Sequence, residues 1–168
     1  IAVPFTNRPG PQKIILRHGS FAALHSFHHV GETYQLSAGA YLDRESLLPG
    51  QTCSLVLRPL LTINGVRLDI QLLEEPRLIL TSPDRDDIVT AKVIPDFELH
   101  NDRESVYTFK VPENLASVGF SLQGKVKNLS RNAEDALSDE ATFAVNGIDA
   151  TDKVAALHFR HTDQGYVA

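Results

Sequence analysis

A group of histidines near the start of the chain has the spacing best suited to metal chemistry. His25, His28 and His29 are three and four residues apart, so on one helical turn their imidazoles could reach a common zinc or copper ion. A stable site needs a third or fourth converging ligand, and Glu32 is the nearest carboxylate. We expect no metal site here and interpret residues 18–31 as a connecting loop that carries surface histidines.

Carboxylates gather in three turns, and carboxylate oxygens are the ligands that calcium prefers. Residues 42–45, Leu-Asp-Arg-Glu, also resemble the short calcium motif of cadherin repeats, but the companion Asp-x-Asn-Asp-Asn run is missing. Aspartate is in addition a common turn residue, because its side chain bonds to nearby backbone. Calcium binding by loops is therefore an alternative and not the first interpretation. The acidic residues concerned are Asp84, Asp86 and Asp87, then Asp96, Glu98 and Asp102, then Asp149 and Asp152.

Nucleophilic catalysis finds no support in the motifs of the chain. There is no Gly-x-Ser-x-Gly elbow and no glycine-rich phosphate loop, and Cys53 has no histidine plausibly paired with it. We expect Cys53 to be a buried, inert thiol on a strand. We predict no catalytic residue, no cofactor and no enzymatic activity.

A carbohydrate-binding face is also weakly supported, because the chain lacks tryptophan and only Tyr41 falls on a predicted polar face. Asn128, Leu129 and Ser130 form a glycosylation sequon, which has meaning only in a eukaryotic secretory setting. Glycan binding through loops at one end of the domain stays open as an alternative, together with calcium.

Composition limits the class of partner. The chain has 168 residues and a net charge of −5, which gives no basic field to attract nucleic acid. No run reaches the roughly 18 apolar residues of a membrane span. The single cysteine excludes an internal disulfide. Since the sequence begins at Ile1 and contains no methionine, we expect a processed product or a piece of a longer protein.

The elements that must position any site are strands. Asn64 and Gly65 accept positive φ and predict a tight hairpin turn between two apolar runs. After it, Val66, Leu68, Ile70 and Leu72 alternate with polar residues, which predicts a strand over residues 66–72 with one buried face. Only residues 131–139 could hold a helical turn, and the next strand is then expected over residues 141–145.

The alternation is clearest over residues 117–127, where Phe120 and Leu122 are expected to lie inside and Ser121 outside. Gly124 occupies an inward position, which suggests a bulge or a close approach of backbone. About ten strands separated by turn signals predict an all-β, antiparallel immunoglobulin-like β-sandwich. We expect residues 1–31 to form a linker with one short strand, residues 32–148 the sandwich, and residues 149–168 a second linker and the possible start of a following domain.

The second half of the chain resembles the macroglobulin-type domains of the α-macroglobulin family. The resemblance lies in YTFKVPENLASVGFSLQGKVKN (residues 107–128), ATFAVNG (residues 141–147) and ALHFRHTDQGYV (residues 156–167). It implies a framework domain of a large extracellular or periplasmic protein. The reactive Cys-Gly-Glu-Gln run of that family is absent, since Ser54 follows Cys53.

Together these observations predict a non-catalytic framework or interaction module of a larger exported protein. Its partners would be another protein or the neighbouring domains of the same chain, with no nucleic acid and no membrane span. The alternative is a calcium- or glycan-binding β-sandwich module.

Overall fold

The chain folds almost wholly into antiparallel strands. The structure is a computed structural model that describes residues 2–145, 160–162 and 165–167. Two short 3₁₀ helices lie at Arg44–Ser46 and Ile70–Leu72. The strands are β1 (Gly10–His18), β2 (Phe21–His29), β3 (Tyr34–Leu42), β4 (Thr52–Ile63), β5 (Val66–Arg67), β6 (Glu74–Pro83), β7 (Val89–Ile94), β8 (Ser105–Lys110), β9 (Ser117–Asn128), β10 (Ala133–Ala144), β11 (Arg160–Thr162) and β12 (Gly165–Val167).

Two sheets form the body of the protein. In the first, β4 is central, with β3 along one side and β8 and the short β5 along the other. In the second, the order is β10-β9-β6-β7, so that β10 and β7 are the edge strands. All pairings between these strands are antiparallel. This arrangement confirms the predicted antiparallel β-sandwich.

The core lies between the two sheets and is built from alternate residues of each strand, as period-two side-chain direction requires. Phe120 stacks on Phe143 of the neighbouring β10, with ring centroids 6.4 Å apart. Burying such side chains at about 25 cal/mol per Å² is the main force that joins the sheets. The buried apolar residues include Leu36, Ala38, Leu42, Leu55, Leu57, Leu61, Leu78, Leu80, Phe109, Val118, Phe120, Leu122 and Val126.

On one side of the sandwich, edge strand β3 of the first sheet contacts edge strand β10 of the second. Asp139 of β10 points inward, and its Oδ2 accepts the backbone N–H of Ala38 in β3 at 2.7 Å. A carboxylate accepting a backbone donor makes a strong, charge-assisted bond. The opposite side, between β7 and β8, has no such link among the described residues.

Gly124 is a point of close approach, as its inward position suggested. A Cβ on Gly124 would lie 2.5 Å from Cγ of Leu73, so the leucine occupies the space that a side chain would need. The pairing of β6 with β9 shifts at the same place, between Glu74 and Arg77, and Glu75 has a φ of 50°. The bulge in β6 thus lies opposite the glycine.

The prediction of a strand over residues 66–72 is wrong beyond Arg67. Asp69 caps a 3₁₀ turn there, with its Oδ1 accepting the N–H of Gln71 at 2.9 Å. The hairpin turn itself is confirmed, since Asn64 and Gly65 both have positive φ. Ile70 is buried and Leu72 is exposed, so the two do not share one face. The local aspartate cap outcompeted the alternating pattern.

Residues 131–139 are also not a helical turn. Strand β10 runs without interruption from Ala133 to Ala144, and its alternate residues Asp135, Leu137 and Asp139 are half-buried. The alternation was present in the sequence, but two of its inward positions hold aspartate.

The segment before the sandwich differs from the predicted linker and loop. Strands β1 and β2 pair with each other over their whole length and form a separate two-stranded sheet. The one short strand predicted within residues 1–31 corresponds to β1. Strands β11 and β12 form another small antiparallel pair.

Phe120→Ala should lower the free energy of unfolding by about 3–5 kcal/mol, because it leaves a cavity between the sheets. Phe120 is 3% exposed. Ser121→Ala, on the other face of the same strand, should change the free energy of unfolding by less than about 0.5 kcal/mol. Urea unfolding of both variants measures the difference, and equal losses would contradict the register.

Candidate functional site

The histidines lie on strand β2 and not on the expected loop. Since directly paired residues share a face of a hairpin, His25 and His29, opposite Ile14 and Gly10, lie on one face. His28 lies on the other. His29 Nε2 is 2.7 Å from the carbonyl oxygen of Pro4 and donates to it. The helical geometry that would bring the three imidazoles together is therefore absent.

The aspartates of the acidic turns accept hydrogen bonds from backbone N–H groups of the same turns. Oδ1 of Asp84 accepts the N–H groups of Asp86 and Ile88 at 2.9 and 2.8 Å. Oδ1 of Asp43, in the segment that resembles a cadherin motif, accepts the N–H of Glu45 at 3.1 Å. These bonds are the ordinary turn role of aspartate.

In the second acidic turn, Glu98 lies near two basic side chains. Glu98 lies 3.5 Å from His100 and 3.9 Å from Arg103. Asp149 and Asp152 lie outside the described residues. Within the part of the chain that the structure describes, no three His, Cys, Asp or Glu side chains are grouped so that they could hold a metal ion.

Cys53 is buried, which confirms the expectation of a packed thiol. Its Sγ is 2.9 Å from Oγ of Ser46, the last residue of the first 3₁₀ helix. The thiol thus helps to anchor the connection between β3 and β4.

Asn128 of the sequon is fully buried. Its Nδ2 donates to Oδ2 of Asp135 at 2.7 Å, and its Oδ1 accepts the backbone N–H of Arg131 at 3.1 Å and Oγ–H of Ser130 at 3.0 Å. In the folded domain, this amide holds the turn between β9 and β10 and is not available for a glycan.

Glu32 is the centre of a polar cluster that sequence patterns did not reveal. It is 9% exposed. Its Oε1 accepts the hydroxyl of Tyr34 at 2.6 Å and the N–H of Leu129 at 3.0 Å, and its Oε2 accepts the N–H of Ser130 at 2.6 Å. The carboxylate therefore fastens the residues before β3 to the β9–β10 turn.

Hydrogen bonding fixes the charge states in this cluster. Burial raises the pKa of Glu32, but the bonds from Tyr34, Ser130 and Leu129 together outweigh it and lower the pKa to about 2. Burial, the bond to Glu32 and the nearby negative charges raise the pKa of Tyr34 to about 12. The amide of Asn128 and, against the effect of burial, Arg131 lower the pKa of Asp135.

A cleft of about 590 Å³ lies beside this cluster, between residues 6–9 and β10. The carboxylate oxygens of Glu32 are already bonded to the protein's own donors. We therefore interpret the cleft as the joint between the N-terminal hairpin and the sandwich. The only sequence signal for it was the alternation in β10 that places Asp135 inward.

A second cavity lies between the two sheets on their open side, and it is the candidate functional site. We call it the β7–β8 groove. Its volume is about 460 Å³, and buried Leu80, Phe109 and Leu115 form an apolar floor. Its rim is polar and includes Ser82, Asp84, Thr90, Lys92, Thr108, Lys110 and Asn114.

Strands β7 and β8 present unpaired edges to this groove. In the described structure β7 pairs only with β6, and β8 pairs only with β4. An edge strand leaves a row of backbone donors and acceptors that another extended chain can use. The groove therefore offers both an apolar floor and backbone hydrogen-bonding groups.

Lys92 and Tyr107 face each other across the opening. Lys92 pairs with buried Leu80 and so occupies an inward position on β7, while Tyr107 pairs with buried Leu55 on β8. The Lys92 Nζ lies 5.6 Å from the centroid of the Tyr107 ring, a cation–π distance. With Lys110 nearby, the rim carries two positive charges against the single negative charge of Asp84.

Comparison with known proteins places the chain among immunoglobulin-like domains. The family model described as the AbpF third immunoglobulin-like domain matches residues 43–151. Actin-binding protein F of Dictyostelium discoideum is 36% identical over 166 residues, a match that covers 94% of this chain. The chain spans 7% of the length of that relative. No solved structure matches the chain.

These matches confirm the immunoglobulin-like part of the fold prediction and do not extend to the α-macroglobulin family. The expected extracellular or periplasmic location is wrong, because the matched relative is an actin-binding protein. No helix among the described residues is long and apolar enough to cross a membrane.

The Glu32 cluster should make stability depend on acidic pH. Because the folded pKa of Glu32, about 2, lies below the ordinary glutamate pKa of 4.5, ionised Glu32 stabilises the fold at neutral pH. This contribution should be lost as pH falls from about 4.5 towards 2, at a cost of about 3 kcal/mol.

Unfolding curves measured across this pH range test the prediction. Glu32→Gln should remove the loss of unfolding free energy between about pH 4.5 and 2, and Tyr34→Phe should make that loss smaller. Glu113→Gln, which removes an exposed carboxylate, is the control and should keep the wild-type profile. A Glu32→Gln variant with unchanged pH dependence would contradict the role of the cluster.

The histidines should hold no stoichiometric zinc after dialysis at neutral pH, because His28 lies on the opposite face of the hairpin from His25 and His29. Metal analysis of the purified protein provides the measurement. Equimolar zinc that disappears in His28→Ala would restore the metal-site interpretation.

Proposed function

The chain belongs to the family of the AbpF third immunoglobulin-like domain, and we propose that it acts as a non-catalytic interaction module in an actin-associated protein. The proposed activity is the binding of an extended protein segment along the β7–β8 groove. The observation that carries the proposal is the combination of two unpaired strand edges with an apolar floor between them.

Strand addition is a common way for a sheet edge to bind a peptide. Main-chain hydrogen bonds supply affinity, and pockets for alternate side chains supply specificity. In this groove the bound segment would add to β8, and its alternate apolar side chains would cover Leu80, Phe109 and Leu115. We favour β8 because Lys92 places a charge at an inward position of β7, which disfavours a strand on that edge.

The charge of the groove rim limits the class of peptide that can bind. Lys92 and Lys110 lie on either side of the opening, and their two positive charges outnumber the one negative charge of Asp84, whose Oδ1 binds its own loop. An extended segment that alternates apolar and acidic residues would therefore match the groove in both shape and charge. Electrostatic complementarity of this kind contributes chiefly to specificity and association rate.

The alternative of a calcium- or glycan-binding module has less support. The loop carboxylates of Asp43 and Asp84 bind backbone N–H groups of their own turns. Glu32, whose pKa is strongly lowered, likewise uses its carboxylate to hold the β9–β10 turn through the N–H groups of Leu129 and Ser130. These contacts support a role without catalysis.

A titration followed by NMR tests the proposal. The isotope-labelled chain is titrated with an extended peptide in which valine and glutamate alternate, and with a matched peptide in which lysine replaces glutamate. The acidic peptide should shift the amide signals of β8 and, more weakly, those of β7. The lysine peptide should bind at least about tenfold more weakly, because the rim is positive.

Charge reversal in the groove provides the matched variants. Lys92→Glu combined with Lys110→Glu should abolish binding of the acidic peptide, whereas Lys127→Glu, on β9 away from the groove, should leave it unchanged. Shifts confined to other strands would refute the groove. Co-sedimentation with filamentous actin that survives the double charge reversal would instead assign binding to a different surface.

A further inference from the structure

The hairpin of β1 and β2 carries an apolar face that the sandwich does not cover. Residues paired across it share a face, and one face holds Ile14, Leu16, Phe21, Ala23 and Phe27. Phe21 is 71% exposed. We call this surface the hairpin face; the opposite face carries Lys13, Arg17, Ser26 and His28 beside the single apolar pair of Ile15 and Leu24.

The hairpin is joined to the sandwich only near its base. At that base Thr6 forms a parallel bridge with Gly31 inside the N-terminal segment, and Asn64 Nδ2 of the β4–β5 turn donates to the carbonyl of Gly31 at 2.8 Å. In the described structure β1 and β2 pair with each other and with no strand of the two main sheets. A two-stranded hairpin is at best marginally stable by itself in water, so its apolar face needs a further layer.

The hairpin has the same layout as the last hairpin of the sandwich. Strands β9 and β10 also form a long antiparallel pair with aromatic and aliphatic residues on one face. That face covers the first sheet of the domain. That face also tolerates polar residues at inward positions, as Asp135 and Asp139 show. The polar residues on the hairpin face therefore do not argue against its burial; they are Gln12, His18, His25 and His29.

The family match indicates what would cover the hairpin face. It is to a third immunoglobulin-like domain and begins at Asp43, directly after β3, so β1 and β2 lie outside the matched residues. The relative, whose match covers 94% of this chain, is much longer than the chain. Residues 30–33 separate β2 from β3, so a preceding domain that ended with the hairpin would lie directly beside the sandwich.

We infer that β1 and β2 are the closing hairpin of a preceding immunoglobulin-like sandwich in the same polypeptide, with the hairpin face directed into its core. The partner is therefore a β-sheet with an apolar inner face, encoded upstream of residue 1. The Glu32 cluster would then set the angle between two adjacent domains.

Hydrogen exchange on a longer natural protein tests this inference. The chain is compared with a version extended through the upstream reading frame by about one domain, roughly 100 residues. In the extended protein the amides of β1 and β2 should exchange about 100-fold more slowly or slower still, because opening now requires unfolding of a packed domain.

Two neighbouring substitutions identify the buried face. In the extended protein Leu16→Asp should abolish the added protection, whereas Arg17→Asp, on the opposite face, should preserve it. Both variants of residues 1–168 should keep the wild-type melting temperature of the sandwich, which shows that folding of that domain is intact.

Several results would overturn the inference. One is unchanged exchange in β1 and β2 after the upstream extension, and another is an upstream reading frame that encodes no strand-rich domain. Equal effects of Leu16→Asp and Arg17→Asp would mean that the hairpin face is not the buried one. Loss of the sandwich in Leu16→Asp would place the hairpin in the core of that domain instead.

Discussion

The hydrogen bond from the backbone of Ala38 to the carboxylate of Asp139 determines how the two sheets meet. It links β3 to β10, and so it closes one side of the sandwich through a charged acceptor. The opposite edges, β7 and β8, are left apart with the groove between them. The position of the proposed binding surface is therefore a consequence of which pair of edges the aspartate joins.

At one end of the sandwich, polar side chains also hold connecting segments in place through hydrogen bonds. Glu32 and Asn128 together satisfy backbone groups of the β9–β10 turn, and Asn64 donates to the carbonyl of Gly31 at 2.8 Å. Buried polar groups that are fully paired give a connection one defined geometry. The orientation of the N-terminal hairpin relative to the body thus depends on hydrogen bonds more than on apolar contact.

The sequence was sufficient for the fold class because period-two alternation is a local property, and strands such as β9 show it plainly. It was insufficient where aspartate interrupts the pattern. Asp69 turns the chain into a 3₁₀ helix, while Asp135 and Asp139 remain in a strand and face inward. The same residue type acts locally in one case and through distant partners in the other. The groove could not be foreseen either, because it depends on which edges meet in three dimensions.

The contact between Leu73 and Gly124 makes the residue types allowed at these two distant positions depend on each other. The leucine enters the space that only glycine leaves free, and the bulge at residues 74–77 supplies the backbone room. A larger residue at position 124 is compatible with the fold only if position 73 shrinks with it. Among divergent domains of this kind, the pair should vary together, and it offers a marker for aligning β6 with β9 where overall identity is too low to do so.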